Sequence, residues 1–193
     1  MIKTQFRQNK AGWKKSFLEG FSQDENGAAL PWMTYPAIEF LQKTIQPHHE
    51  IFEFGCGAST LFFAKRAKKV VSLETNEKWF DLVKSMLHSN NLTAEITLME
   101  DGLENPLYEN FAKNSAQKFD FIIIDSLKRF DCAKNSIPAL KPGGAIILDD
   151  SQRPNYKKIF DFFAAQNFRE ENFIGIEPGK LCIKKTTIFY PKK

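Results

Sequence analysis

Residues 51–60, IFEFGCGAST, carry an apolar run straight into two glycines that flank a cysteine. Such a run, followed by helix-forming residues, reads as a strand, a tight turn and a helix. The turn is so bare of side chains that its backbone can lie against a ligand.

Outward from this turn, apolar and amphipathic stretches alternate. Strands are predicted at Glu50–Phe54, Val70–Glu74, Ala94–Met99, Asp120–Asp125 and Ala145–Asp149, and helices at Thr60–Lys68, Glu77–Ser89, residues 130–140 and Asn155–Ala165. DFIIID (120–125) is apolar without interruption, as expected of a strand covered on both faces. Lys141-Pro142-Gly143-Gly144 reads as a turn, and Pro154 as a first-turn residue of the helix after it. Two closing strands, Phe168–Ile176 and Leu181–Tyr190, flank Glu177-Pro178-Gly179. The expected fold is α/β: a Rossmann-like, doubly wound seven-stranded sheet, mostly parallel, with an antiparallel C-terminal hairpin at its edge. Residues 1–49 form an N-terminal helical extension, with a helix at Tyr35–Ile45, and residues 50–190 form the core of a single domain spanning 1–193.

The totals suit this reading. A chain of 193 residues with 42% hydrophobic and 26% charged residues can bury a core without staples. The 19 phenylalanines are expected to pack that core. The net charge of +4 is spread over tails and helix surfaces such as Lys65, Arg66, Lys68 and Lys69, which disfavours nucleic acid as a partner. The 3 cysteines, Cys56, Cys132 and Cys182, make neither a disulfide framework nor a zinc spacing. The sequence shows no signal peptide and no membrane span, so the cytoplasm is the expected compartment.

In an open α/β sheet, ligands bind beyond the carboxyl ends of the strands. Gly55 and Gly57 lie there, Ser59 or Thr60 can cap the next helix, and Glu74 closes the second strand where an acid can accept both hydroxyls of a ribose. A dinucleotide fingerprint would need a glycine where Thr60 stands, which weakens pyrophosphate binding and argues against an NAD-dependent oxidoreductase.

Glu53-Phe-Gly-Cys-Gly57 resembles the first motif of class I S-adenosylmethionine-dependent methyltransferases. Glu74 is similar to their ribose-binding acid, Glu100-Asp101-Gly102 to their adenine-contacting segment, and Leu140–Gly144 to their turn into the fifth strand. Pro31–Pro36, FGCGAST, Asp125 with Arg129 and Cys132, and Leu148–Ser151 also resemble a widespread methyltransferase-like group without assigned substrates. The resemblance implies a cofactor site in which Gly55 and Gly57 face the methionine part of S-adenosylmethionine. In it, Glu53 orders the amino group, Glu74 takes the ribose hydroxyls and Asp101 takes the adenine amino group.

Asp125 closes the fourth strand, and Asp149 and Asp150 close the fifth, so the three carboxylates are expected to converge on the methyl acceptor. Catechol-type O-methyltransferases carry Asp, Asp and Asn at such strand ends and a lysine three residues after the first. Lys128 matches the lysine, whereas Asp150 stands in place of the asparagine. Two arrangements follow: a divalent site, such as Mg2+ on Asp125, Asp149 and Asp150, or a metal-free site where these carboxylates and Lys128 act as bases or positioners. His48, His49 and His88 are expected to stay outside it, and Trp32, Thr34 and Tyr35 to serve as a lid or as N-terminal packing.

The expected activity is methyl transfer to a small-molecule acceptor at oxygen. The competing class is a non-catalytic cofactor-binding or interaction domain, for which carboxylates gathered at the reaction end have no use. DNA base methylation is disfavoured because IIIDSLKR stands where an Asn-Pro-Pro-Tyr motif would be needed.

Overall fold

The computed structural model describes residues 2–192. Three helices come first: α1 (Ile2–Gln8), α2 (Lys10–Glu19) and α3 (Tyr35–Thr44). The chain then alternates β1 (Glu50–Phe54), α4 (Ala58–Ala64), β2 (Lys69–Glu74), α5 (Glu77–Ser89), β3 (Glu95–Leu98), the short α6 (Phe111–Asn114), β4 (Phe119–Ile124), α7 (Arg129–Ser136), β5 (Leu140–Leu148) and α8 (Lys157–Ala165). It closes with β6 (Phe168–Glu177) and β7 (Lys180–Pro191). The seven strands are ordered β3-β2-β1-β4-β5-β7-β6. β1 to β5 pair in parallel, and β7 runs antiparallel between β5 and β6.

Strand alternation explains the core. Phe52, Phe54, Ile122, Ile124, Ile146 and Leu148 face one side, where they meet Cys132, Ile159 and Phe163. Ile51, Phe121, Ile123, Ala145 and Ile147 face the other, against Ile38, Leu41 and Phe62. Neither face of the central strands meets water, so their sequences read as unbroken apolar runs. Phenylalanine fills much of this core: Phe163 and Phe189 stack with centroids 4.3 Å apart, and truncating Phe163 to alanine would cost roughly 3–5 kcal/mol.

Some boundaries differ from expectation for identifiable reasons. The Gly57 N–H donates to the Thr60 hydroxyl at 2.9 Å, so α4 begins at Ala58, two residues before its predicted start. α7 stops at Ser136, because Pro138 has no N–H to continue it. The expected turn at Lys141–Gly144 is strand: β5 runs through it, with a register irregularity opposite Phe119–Phe121. Gly143, at φ +80°, supplies the left-handed residue that this irregularity uses.

The N-terminal helices cover the hairpin side of the sheet. The Trp13 indole N–H donates to the Lys180 carbonyl at 3.1 Å, the Thr34 hydroxyl to that of Phe173 at 3.1 Å, and the Ile176 N–H to Gln5 Oε1 at 3.3 Å. These bonds draw the segment before α3 up to the end of the hairpin, beside the carboxyl edge of the sheet.

Candidate active site

A cleft of about 460 Å³ opens at the carboxyl ends of the strands, and its lining includes Glu53, Gly55, Gly57, Ser59 and Glu74 from the glycine-turn side. The turn is built by the backbone. The Gly55 N–H donates to the Leu73 carbonyl at 2.7 Å. At φ +97°, a Cβ on Gly55 would sit 3.1 Å from the Asp125 carbonyl oxygen, so both conformation and space require glycine. Glu74 ties this turn to the next one: its Oε2 accepts from the Cys56 N–H at 3.0 Å, and its Oε1 from the N–H groups of Thr75 and Asn76 at 2.7 and 2.8 Å.

Glu53 is wholly buried at the end of β1. One of its oxygens accepts from the Ser72 hydroxyl at 2.8 Å, and the other has no partner. Burial pushes its pKa up to about 7, with the nearby hydroxyls of Ser59, Thr60 and Ser72 holding it back. A buried carboxylate with a free oxygen at a cleft wall is suited to an ammonium group, and the amino-acid end of S-adenosylmethionine carries one.

Two sequence-predicted cofactor residues sit apart from this wall. The buried Thr60 spends its hydroxyl on the α4 cap. Asp101, in the left-handed region at φ +60°, is exposed on the loop after β3, and Leu103 of that loop reaches the cleft in its place.

The other half of the cleft is lined by Asp125, Arg129, Asp149, Asp150, Glu177 and Lys184, among others. Asp125 pairs with the Arg129 guanidinium, one helical turn on. Asp125 is half-exposed, and partial desolvation within the cleft raises its pKa against the opposing charge of Arg129. Lys128 turns away and pairs with Glu109 at 3.3 Å; the basic side chain that the α7 start brings to the cleft is Arg129. Asp149 accepts from the Thr186 hydroxyl at 2.8 Å. Burial, then the charge of Asp125, lift its pKa well above the usual carboxylate range. Asp150 goes the other way: burial opposes its charge, but hydrogen bonds from Lys184 and Gln152 and the charges of Lys184 and Arg153 hold its pKa low.

The expected metal set is corrected here. Among the described residues, the carboxylates whose oxygens come within 4.8 Å of one another are those of Asp149, Asp150 and Glu177, without Asp125. The Lys184 ammonium contacts Asp150 and lies 3.6 Å from Glu177 Oε1, and Lys180 pairs with the same oxygen at 2.8 Å. A divalent ion does not fit carboxylates already held by ammonium groups. The sequence marked Glu177 only as part of a turn. Its single signal was its place at the tip of a predicted hairpin. Trp32 closes the rim, its indole N–H donating to the Pro178 carbonyl at 2.7 Å and Lys180 lying 4.9 Å from its ring centroid. The histidines do not line the cleft.

This strand order, with a glycine turn after β1 and an acid closing β2, defines a class I S-adenosylmethionine-dependent methyltransferase. Residues 52–151 match the model of the family described as Methyltransferase domain, and the chain belongs to that family. It is 36% identical over 73 residues to the probable cobalt-precorrin-6B C(15)-methyltransferase (decarboxylating) of Methanobrevibacter smithii, a match over 37% of this chain and 39% of that protein. The chain thus aligns with well under half the length of that relative. Among solved structures, it resembles an rRNA methylase from Streptococcus thermophilus with a TM-score of 0.62 and 14% identity, over 81% of this chain and 96% of that one. It also resembles a Streptococcus mutans protein solved with S-adenosylhomocysteine, with a TM-score of 0.57 and 16% identity over 79% and 94% of the two chains. At these identities the two structures attest the fold.

Proposed function

We propose that this methyltransferase acts on a small-molecule acceptor at oxygen, with Asp149 as the base. The observation that carries the reading is Asp149 itself: a buried carboxylate in the cleft, braced by Thr186, whose environment raises its affinity for a proton. A hydroxyl acceptor must lose a proton as its oxygen forms the new bond to carbon, and a base of raised pKa takes that proton near neutral pH. Nitrogen acceptors that arrive unprotonated need no such base. The size argument is steric: one cleft of about 460 Å³ has to hold both cofactor and acceptor.

In this reading the cofactor lies along the glycine turn and supplies an electrophilic methyl group when bound. Gly55 and Gly57 leave room for it, Glu53 holds its ammonium, Glu74 accepts from the ribose hydroxyls, and Ser59 lines the wall beside them. Asp125, oriented by Arg129, positions the acceptor from the second half of the cleft. Thr60 acts only through the α4 cap, and Asp101 through the shape of its loop. Residues 1–49 belong to the same domain as the core, a view supported by the bonds of Gln5, Trp13 and Thr34 to the hairpin.

A second reading, transfer to carbon, is favoured by the stretch shared with the Methanobrevibacter smithii protein named as a C-methyltransferase. The experiment is a screen of hydroxyl-bearing and carbon-nucleophile metabolites, read by release of S-adenosylhomocysteine, with wild type and Asp149→Asn side by side. Turnover on hydroxyl acceptors that collapses in the variant supports the oxygen reading. Methylation at carbon, or full turnover in Asp149→Asn, rejects it.

A further inference from the structure

We infer that Lys184 is a built-in cation, standing where a divalent ion would otherwise sit, and that it makes the acceptor end of the cleft a metal-free site. The carboxylates of Asp149, Asp150 and Glu177 are buried, with oxygens within 4.8 Å of one another, a spacing that a single divalent ion could bridge. The chain fills that place itself. Lys184 contacts Asp150 and approaches Glu177 Oε1 at 3.6 Å, with its side chain only 15% exposed.

The topology makes this arrangement. β7 runs antiparallel between β5 and β6, so its first half lies beside the carboxyl end of β5. Lys184 and Thr186 are alternate residues on one face of β7, and they reach the adjacent Asp150 and Asp149. Opposite, the end of β6 brings in Glu177, paired with Lys180 across the hairpin turn. Arg153 meets the second oxygen of Asp150. Three cations thus face three carboxylates, and an incoming divalent ion would have to displace an ammonium group whose charge repels it. Lys184 remains protonated there: burial opposes its charge, but the bond it donates to Asp150 and the charges of Glu177, Asp150 and Asp149 outweigh it.

An ammonium group has three N–H donors. One is directed at Asp150, while Glu177 Oε1, 3.6 Å away, is met by charge rather than by a hydrogen bond, so donors remain for an oxygen in the cleft that Lys184 lines. Lys184 would then hold the acceptor oxygen while Asp149 takes its proton, a role that rests on the oxygen reading. The exclusion of ions does not rest on it.

The test is a titration of Mn2+ into the full-length protein, followed by calorimetry and by electron paramagnetic resonance of free Mn2+. S-adenosylhomocysteine affinity is measured in parallel to show that each variant is folded. Wild type should take up no stoichiometric Mn2+. Lys184→Met, which keeps the length of the side chain without its charge, should bind one ion at least about tenfold more tightly than wild type. Lys184→Arg should not, and adding Asp150→Asn to Lys184→Met should abolish the new site. Stoichiometric Mn2+ on wild type that is lost in Asp150→Asn would overturn the inference, and so would a folded Lys184→Met that gains no ion. Should Lys184→Met fail to bind S-adenosylhomocysteine, Lys184→Gln replaces it, and the wild-type arm decides alone if neither folds. No acceptor is present, so failure of the oxygen reading leaves this result untouched.

Discussion

The two halves of the cleft are built by different means. On the β1–β2 side the wall that faces a ligand is shaped by backbone: the Gly55 turn, fixed by the bond of the Cys56 N–H to Glu74, and the next turn, fixed by the Thr75 and Asn76 N–H groups on the same carboxylate. On the β5–β7–β6 side they are charged side chains that meet across the fold, such as Asp150 with Lys184 and Asp149 with Thr186. The first design suits a constant ligand, since backbone geometry is insensitive to neighbouring side chains. The second can be retuned by one substitution, which suits the end that selects an acceptor.

Four changes would break or sharpen that contrast. The largest effect is expected from Gly55→Val, which puts a branched side chain at a positive φ beside the Asp125 carbonyl. S-adenosylhomocysteine binding measured by calorimetry should disappear, and binding at wild-type strength would refute a backbone-built cofactor end.

Next comes Asp149→Asn, which should lower methyl transfer by about 10²-fold or more and leave S-adenosylhomocysteine affinity within about twofold. In wild type, turnover should rise with pH through the Asp149 pKa, with its midpoint above the ordinary carboxylate range. A midpoint inside that range would mean that another group titrates.

Glu53→Gln separates stability from binding. A carboxyl with a folded pKa near 7 and an ordinary value of 4.5 keeps its proton in the folded state, so the contribution of Glu53 to the stability of the ligand-free protein is fully present below pH 4.5 and is lost as pH rises through 7. At pH 8 the variant should therefore be more stable than wild type, by on the order of 3 kcal/mol, yet bind S-adenosylhomocysteine more weakly. Denaturant melts at pH 4 and pH 8 check this, and equal gains at both would remove the ionisation from the explanation.

The smallest effect is expected from Glu74→Ala, which loses the ribose acceptor and loosens the Cys56 and Thr75 turns. S-adenosylhomocysteine affinity should fall by roughly 1–3 kcal/mol, and unchanged affinity would reassign Glu74 to a purely structural role.

The legible parts of the molecule were local ones. DFIIID reads as a central strand because each of its faces is covered, and IFEFGCG reads as strand and turn because Gly55 alone tolerates the backbone there. α1 and α2 lie within the helical extension expected of residues 1–49, but their bounds were not legible, because helices of 7 and 10 residues gain their order from packing on the hairpin rather than from their own pattern. The Lys141–Gly144 stretch reads as a turn but is strand, since Pro-Gly-Gly looks the same in a turn and in an irregular strand. At the site, the resemblance to catechol-type O-methyltransferases points to Lys128, but α7 starts at Arg129, and the direction of its first turn sends Arg129 to the cleft and Lys128 to Glu109.

By itself, the sequence determined the alternation of strands and helices, the glycine turn and the acids at the strand ends, because periodicity and backbone freedom act over a few residues. Only the tertiary structure decided which charges meet. Lys184 stands 34 residues from Asp150 along the chain, and their contact exists because β7 enters antiparallel beside β5. No local pattern encodes that placement. It follows from how the hairpin buries Ile188 and Phe189 in the two faces of the core, and burying those side chains fixes which residues of β7 point into the cleft.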